Sequence, residues 1–397
     1  MTIRFTTAGE SHGKALLAIL EGIPAGLELV AEDVDSELRR RMAGYGRGAR
    51  MKIESDAVEF LSGVRAGEAL GSPIGMLVRN RDWENWEDVM AAEPDTDPDT
   101  PRRRRVLRPR PGHADLVGVL KYNRRDARDI LERASARETA ARVACGAVCR
   151  KLLAAFGVEI GSHVVQIGGV TAEALDPLPI PLNESADASP VRCLDDTASQ
   201  AMVRVIDEAI EARDTLGGIV EVIVRGVVVG LGSHVSWDRK LDARLAHAMM
   251  SIHAVKGVEM GLGFTGAGAC GSEAHDEIRR GNNALTGGFA RPSNRAGGLE
   301  GGITNGEPIV MRLAMKPIST LRRPLDTVDL ETGEIAKAQS ERSDVTAVPA
   351  MGVIAEAMAA VVLAQALAEK FGGDSMAEMR RNYDSYIEQL GLPGGGE

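Results

Sequence analysis

The chain has 397 residues, 44% of them hydrophobic and 26% charged, and 57 acidic against 47 basic side chains leave it at −10 near neutral pH. This is the composition of a globular protein, longer than one typical core supports, so either two domains or one large layered body is expected. A negative total with only 3% aromatic residues argues against a nucleic-acid-binding protein, which needs positive charge and rings for bases to stack on.

In chain order, MTIRFTTAGESHG carries one early Arg and no apolar stretch long enough for a secretory signal. Apolar periodicity predicts helices at 31–42, 137–156, 199–213, 240–253 and 349–371, the last closed by Gly372 and Gly373. Val- and Ile-rich runs predict strands at 57–62, 75–79, 219–229 and 308–315. Helices and strands alternate along the whole length with no linker break and no repeat, so we expect an α+β chain forming one large body, 1–397.

The most apolar helical stretch, 353–368, contains Glu356 and Gln365 and falls short of the ~20 residues of a membrane span, so no membrane partner and a cytoplasmic location are expected. Cys145 and Cys149 share a helical face, but C-x3-C alone is not a zinc signature, and we read both as small buried hydrophobes. The connections 88–105, 175–196 and 270–305 are long, and loops of that length in a compact protein are functional or disordered.

Arginines gather in several of these connections. RRRMAGYGRGAR (39–50) supplies Arg41, Arg47 and Arg50 among glycines that let a ligand approach the backbone. RPRPGHAD (108–115) holds Arg110 in a Pro- and Gly-pinned turn, and an unbroken run of four arginines (102–105) lies just upstream, where a solvated face is an equally good reading. ERASARETAAR (132–142) adds Arg133 and Arg137, KPISTLRRPL (316–325) adds Lys316, and ERSD (341–344) adds Arg342. Guanidinium groups in rigid turns suit bidentate recognition of carboxylate or phosphate, so these clusters read as walls of an anion site. Ser135 with Glu138 three residues on has the capping-box pattern, and a helix starting there turns free N–H groups toward an anion.

His12 in AGESHG and His113 in RPGHAD sit beside glycine in polar stretches, where imidazole serves proton transfer better than packing. His163, His234, His247 and His275 show no paired spacing and read as surface or core residues; with no H-x3-H or H-E-x-x-H arrangement, no catalytic metal is expected.

TAGESHG (7–13), GRGARMKIESDAVEFLSGVRAGEALGSPIG (46–75), RPGHAD (110–115), ERASARETAARVACG (132–146), SNRAGGLEGGITNG (293–306), MKPISTL (315–321) and ERSDVTAVPA (341–350) together resemble the chorismate synthase family, over about residues 3–378. The resemblance implies a β-α-β sandwich core, with long functional loops, in a homotetramer. It implies the anti 1,4-elimination of phosphate from 5-enolpyruvylshikimate 3-phosphate to give chorismate, dependent on reduced FMN although redox-neutral overall. By that analogy Arg41, Arg47, Arg50, Arg110, Arg137 and Arg342 surround substrate and flavin. His12 protonates the leaving phosphate, His113 stands beside the reduced flavin as proton donor, and Asp344 relays the proton away from it. The implied flavin contacts are Arg133, Ala134, Ser135, Ala136, Arg137, His253, Ala254, Gly301, Lys316, Pro317, Ile318, Ser319, Thr320 and Arg342.

Some family members also reduce their own flavin, with Arg41 and Arg47 sometimes assigned to NADP. Here no G-x-G-x-x-G follows a strand, so an external flavin reductase is expected, with NADPH as indirect reductant. The chain departs from the family in two places. His253 replaces the usual Asn or Gln, which ties cofactor affinity to the protonation of an imidazole, and 270–292 forms an unusual loop expected to order as a lid over flavin. The C-terminal tail, 388–397, is expected to be disordered. Two other readings of the Arg and His clusters are a flavin-independent phosphate-ester hydrolase and an Arg-rich nucleic-acid-binding protein.

Overall fold

The computed structural model describes residues 2–48, 55–94, 103–341 and 343–390. Its first layer is an antiparallel sheet of β1 (Arg4–Ala8), β2 (Ala15–Glu21), β3 (Val58–Ser62) and β4 (Ile74–Arg79) in the order β1-β2-β4-β3. Its third is an antiparallel sheet of β5 (Glu159–Ile167), β6 (Val170–Thr171), β7 (Gly218–Arg225), β8 (Val255–Met260) and β9 (Ile309–Met315) in the order β8-β9-β7-β5-β6. Between them lie α1 (Ala31–Met42), α2 (Thr139–Ala154) and α3 (Val348–Phe371): α1 and α2 pack on the first sheet, α3 on β5 and β7, and α2 against α3. The architecture is the α+β sandwich of sheet, helices and sheet.

The middle layer is held by small residues. A Cβ added at Gly146 of α2 would lie 2.4 Å from the Cβ of Ala357 on α3, so the two helices approach as closely as their backbones allow. By length and composition α3 could cross a membrane, yet 94% of its apolar window is buried inside the molecule. The 353–368 reading rested on length, but the helix has 24 residues, and burial rather than length makes it a core element. Cys145 and Cys149 of α2 are free and buried, as expected.

The strands the sequence did not reveal have a physical reason. In β2, ALLAILE, Leu16, Ala18 and Leu20 face the core while Leu17 and Ile19 are 41% and 48% exposed, so apolar residues occupy both faces and the period of two disappears. The helix Met376–Gln389 was also missed; Met379 and Tyr383 dock it, with the Tyr383 ring 5.0 Å from that of Phe371. Residues 388 and 389 thus end a helix rather than begin a disordered tail, and 391–397 lie outside the described residues.

The loop 270–292 is likewise built rather than open. It contains the short helix Gly271–Ala274 and a hairpin pairing Arg279–Arg280 with Phe289–Ala290, and Val229 N–H donates to Leu285 O at 2.8 Å. Contacts with the rest of the protein hold it.

Candidate functional site

The turn between β1 and β2 is forced by Gly9, whose φ is +104° and where a Cβ would lie 2.4 Å from Ala15 O. It delivers His12 to the segment preceding α2. There Glu132 Oε2 accepts from the His12 backbone N–H at 3.0 Å, and His12 Nδ1 lies 2.9 Å from the same oxygen. Arg128 Nη1 donates to Glu132 Oε1 at 2.8 Å. The carboxylate is 2% exposed; burial alone would raise its pKa, but hydrogen bonding to His12 and the charge of Arg128 lower it overall. The His12 ring stacks on Trp86, centroids 3.8 Å apart.

His113 has the same arrangement built from different elements. Asp115, fully buried at the start of the helix Asp115–Lys121, lies 2.5 Å from His113 Nδ1 through Oδ1 and accepts from Arg110 Nε at 2.8 Å through Oδ2. Against its burial, the His113 and Arg110 hydrogen bonds hold it well below the usual carboxylate range. Arg110 Nη1 reaches Thr320 Oγ1 at 2.8 Å and Lys316 Nζ reaches Gly112 O at 2.6 Å, tying this turn to the segment after β9.

A third cluster gathers the arginines of α1 and its C-terminal loop. Arg137 Nη1 donates to Asp56 Oδ1 and Oδ2 at 2.6 and 2.7 Å and its Nε to Asn80 Oδ1 at 3.0 Å. Arg41 donates to Thr139 Oγ1 and Ala136 O at 2.9 and 3.0 Å, with Asp56 3.5 Å from its Nη1. Burial lowers the Arg41 pKa to about 10; Asp56 opposes this, and Arg137 and Arg47 add to it. Arg47 Nε lies 3.2 Å from Asp344 Oδ2, and Gly48 N–H donates to Asp344 Oδ1 at 2.6 Å. Arg50 and Arg342 lie outside the described residues.

Arg41, Arg47 and Arg137 gather around Asp56 and Asp344 while Arg110 rests on Asp115, so each of these four is met by a carboxylate of the chain itself. Arg41, Arg110 and Arg137 are buried. Asp56, Asp115, Glu132 and Trp86 were not singled out from the sequence. The available signal was that Asp56, Asp115 and Glu132 stand inside the motifs at 46–75, 110–115 and 132–146.

Ser135 accepts from Arg137 N–H at 3.3 Å and begins a short 3-10 turn, Ala136–Glu138, that runs into α2. Glu138 does not return to the Ser135 backbone as a capping box requires; its oxygens take Thr7 Oγ1 at 2.7 Å and Arg142 Nε at 2.8 Å. Arg133 donates to Thr7 O at 2.9 Å and Gly9 O at 3.1 Å, which sets Arg133, Ala134, Ser135 and Ala136 beside the His12 turn. Ala254 takes φ +66°, rare for a residue with a side chain, and its carbonyl accepts from Lys316 N–H at 3.0 Å, so 253–254 and the Lys316, Pro317, Ile318, Ser319 and Thr320 strip adjoin. A Cβ at Gly301 would meet only His234, so contacts do not bring it into this set. A cavity of about 730 Å3 lies nearby, but of the expected residues it takes only Arg133.

Nδ1 of His253 is buried and has no hydrogen-bond partner among the described residues. Burial pulls its pKa down to about 4; Glu138 opposes this, and Arg142, His113 and Arg133 contribute to it. It is therefore neutral near pH 7, and any effect of its protonation on cofactor affinity falls in a more acidic range. The unfolded chain takes up this proton near the ordinary value of 6.5 and the folded chain only near 4, so stability is lost as pH falls between them. His253→Gln is expected to flatten that part of the acid limb, checked by melting temperatures of both proteins from pH 7 to 4.

A family model for chorismate synthase matches residues 3–368. The chain is 56% identical over 394 residues to the chorismate synthase of Pelobacter propionicus, covering 98% of this chain and 99% of that protein. It is 57% identical over 396 residues to that of Streptomyces coelicolor, with the same coverage. A solved structure described as a crystal structure of chorismate synthase superposes with a TM-score of 0.79 at 46% identity, covering 98% of each chain.

Proposed function

The chain belongs to the chorismate synthase family, and we propose that its two carboxylate-held imidazoles carry out the proton transfers of a 1,4-elimination of phosphate from 5-enolpyruvylshikimate 3-phosphate, giving chorismate. The observation that carries this reading is the pairing of His12 with Glu132 and of His113 with Asp115. In each the carboxylate takes Nδ1 and directs Nε2 to the reaction. His12 protonates the departing phosphate, and Asp344, on Arg47 and the Gly48 N–H, receives the proton removed from the ring.

The substrate carries two carboxylates and a phosphate, so the cluster of Arg41, Arg47, Arg110 and Arg137 is suited to it only as a near-neutral lattice that exchanges partners. Each guanidinium already rests on a carboxylate, which avoids burying unpaired cations before substrate arrives.

Reduced FMN fits the residues present. The unpartnered His253 Nδ1 offers one hydrogen bond to a flavin edge, and the backbone at Ala254 with the 316–320 strip offers a surface beside His113. The residues that would hold it are Arg133, Ala134, Ser135, Ala136, Arg137, His253, Ala254 and Lys316 to Thr320. Reduced FMN, when bound, supplies the electron density that lets an allylic phosphate leave. Buried Arg41 is poorly placed to greet NADPH, which favours an external flavin reductase. A homotetramer and a cytoplasmic location complete the proposal; the apolar outer face of the first sheet, with Leu17, Ile19 and Leu61 exposed, supports self-association.

The test is an anaerobic assay with chemically reduced FMN and the enolpyruvyl substrate, following chorismate absorbance. Chorismate and phosphate are expected in equal amounts, and only with reduced flavin. Phosphate release in air without flavin would instead make the protein a phosphate-ester hydrolase.

A further inference from the structure

We propose that Glu132 and Trp86 are positioning residues for His12, fixing both which ring nitrogen exchanges a proton and the plane in which it does so. This rests on the reading of His12 as the acid for the leaving phosphate.

Glu132 holds more of this turn than a ring partner needs to. Its backbone carbonyl accepts from Ser11 N–H at 2.9 Å, its Oε2 from His12 N–H at 3.0 Å, and the same oxygen lies 2.9 Å from His12 Nδ1. One side chain thus fixes the backbone and the ring of His12 together, leaving the imidazole little torsional freedom. Glu132 is in turn held by Arg128, which also lies 3.3 Å from Glu341 through Nη2. Glu132 accepts the Nδ1 proton in either state of the ring. The N–H bond that breaks when phosphate leaves is therefore the one at Nε2; an O–H bond forms on phosphate, and the neutral ring keeps its Nδ1 proton.

Trp86 supplies the plane. Its ring lies 3.8 Å from the imidazole at 23°, it is 8% exposed, and its Nε1 donates to Asp82 Oδ2 at 3.0 Å, so the shelf is itself fixed. The guanidinium carbons of Arg104 and Arg128 lie 4.4 and 5.1 Å from the same ring. A π ring flanked by two cations and an imidazole favours stacked over tilted orientations. Arg104 comes from the arginine run whose purpose composition left open, and part of that run thereby acquires a role.

The experiment uses the full chain labelled with 15N-histidine, without flavin, with the His12 resonances assigned by their loss in His12→Asn. In the wild type the neutral ring is expected to carry its proton on Nδ1. In Glu132→Gln it should move toward the Nε2 tautomer ordinary for free histidine. In the flavin-loaded enzyme kcat should then fall by about 10-fold or more with KM within about twofold, and Glu132→Asp should recover part of both. Trp86→Leu should disperse the His12 signals over several environments while Trp86→Phe keeps one; if Glu132→Gln does not fold, the His12 tautomer in Glu132→Asp tests Glu132, an unchanged spectrum with unchanged kcat counting against its role. Unchanged His12 resonances in a folded Glu132→Gln protein would overturn the role of Glu132, and unchanged resonances in Trp86→Leu that of Trp86. Full turnover in His12→Asn would overturn the acid assignment instead, with the tautomer result still standing.

Discussion

Alanine in place of His113 is expected to lower turnover by about 10²-fold or more, the scale of losing a positioned acid, while the protein keeps its melting temperature. The second half follows from the hydrogen bonds. Asp115 keeps the N–H, Nε and Nη2 of Arg110 when the imidazole is gone, so no buried carboxylate is orphaned. Arg110 in turn keeps Thr320, so the tie to the 316–320 strip survives. Loss of rate in His113→Ala is therefore loss of chemistry. Asp115→Asn would be a poorer test, because it removes the partner of a buried guanidinium as well. Steady-state turnover with reduced FMN, beside a thermal melt, checks both halves; near-normal turnover would take His113 out of the mechanism.

Glu356→Gln is expected to destabilise the fold by about 3–5 kcal/mol, the scale of breaking a buried ion network by removing one partner. Glu356 is the acidic residue inside the most apolar helix, and it is fully buried. Its two oxygens accept from Arg40, Arg150, Arg192, Ser162 and Asn183 at 2.6–3.1 Å. Glu37 and Asp187 answer part of that positive charge, so removing Glu356 leaves three guanidiniums around two carboxylates. Burial alone would raise the Glu356 pKa, yet Arg40, Arg150 and Arg192 hold it well below the usual carboxylate range. The network's stabilisation is thus complete above the ordinary value of 4.5 and is lost as pH falls below it, a lower window than that of His253. Urea unfolding of Glu356→Gln at pH 7 measures the loss; a midpoint within error of wild type would show the arginines to be solvated instead.

Glu356 also marks how far the sequence could be read. Its position in 353–368 was visible, but its purpose was not, because Arg40, Arg150 and Arg192 come from three separate elements. Helices 31–42 and 349–371 were legible from periodicity and caps. Strand β2 was not, since Leu17 and Ile19 erase its alternation. His12, His113 and the arginine turns stood out as residue types held by Gly and Pro. Their carboxylates did not, because Asp56 with Arg137, and Glu132 with His12, are paired only by folding. Family likeness supplied the chemistry; it did not supply the observation that the arginines arrive already neutralised.

The close seating of Gly146 on Ala357 has a bearing on the distant histidines. His12 hangs from the first sheet, while 253–254 and 316–320 belong to the third, so the thickness of the helical filling acts as the gauge of the gap across which the reacting groups face one another. A methyl group at position 146 would widen that gauge from the inside, setting the two jaws ajar without touching either.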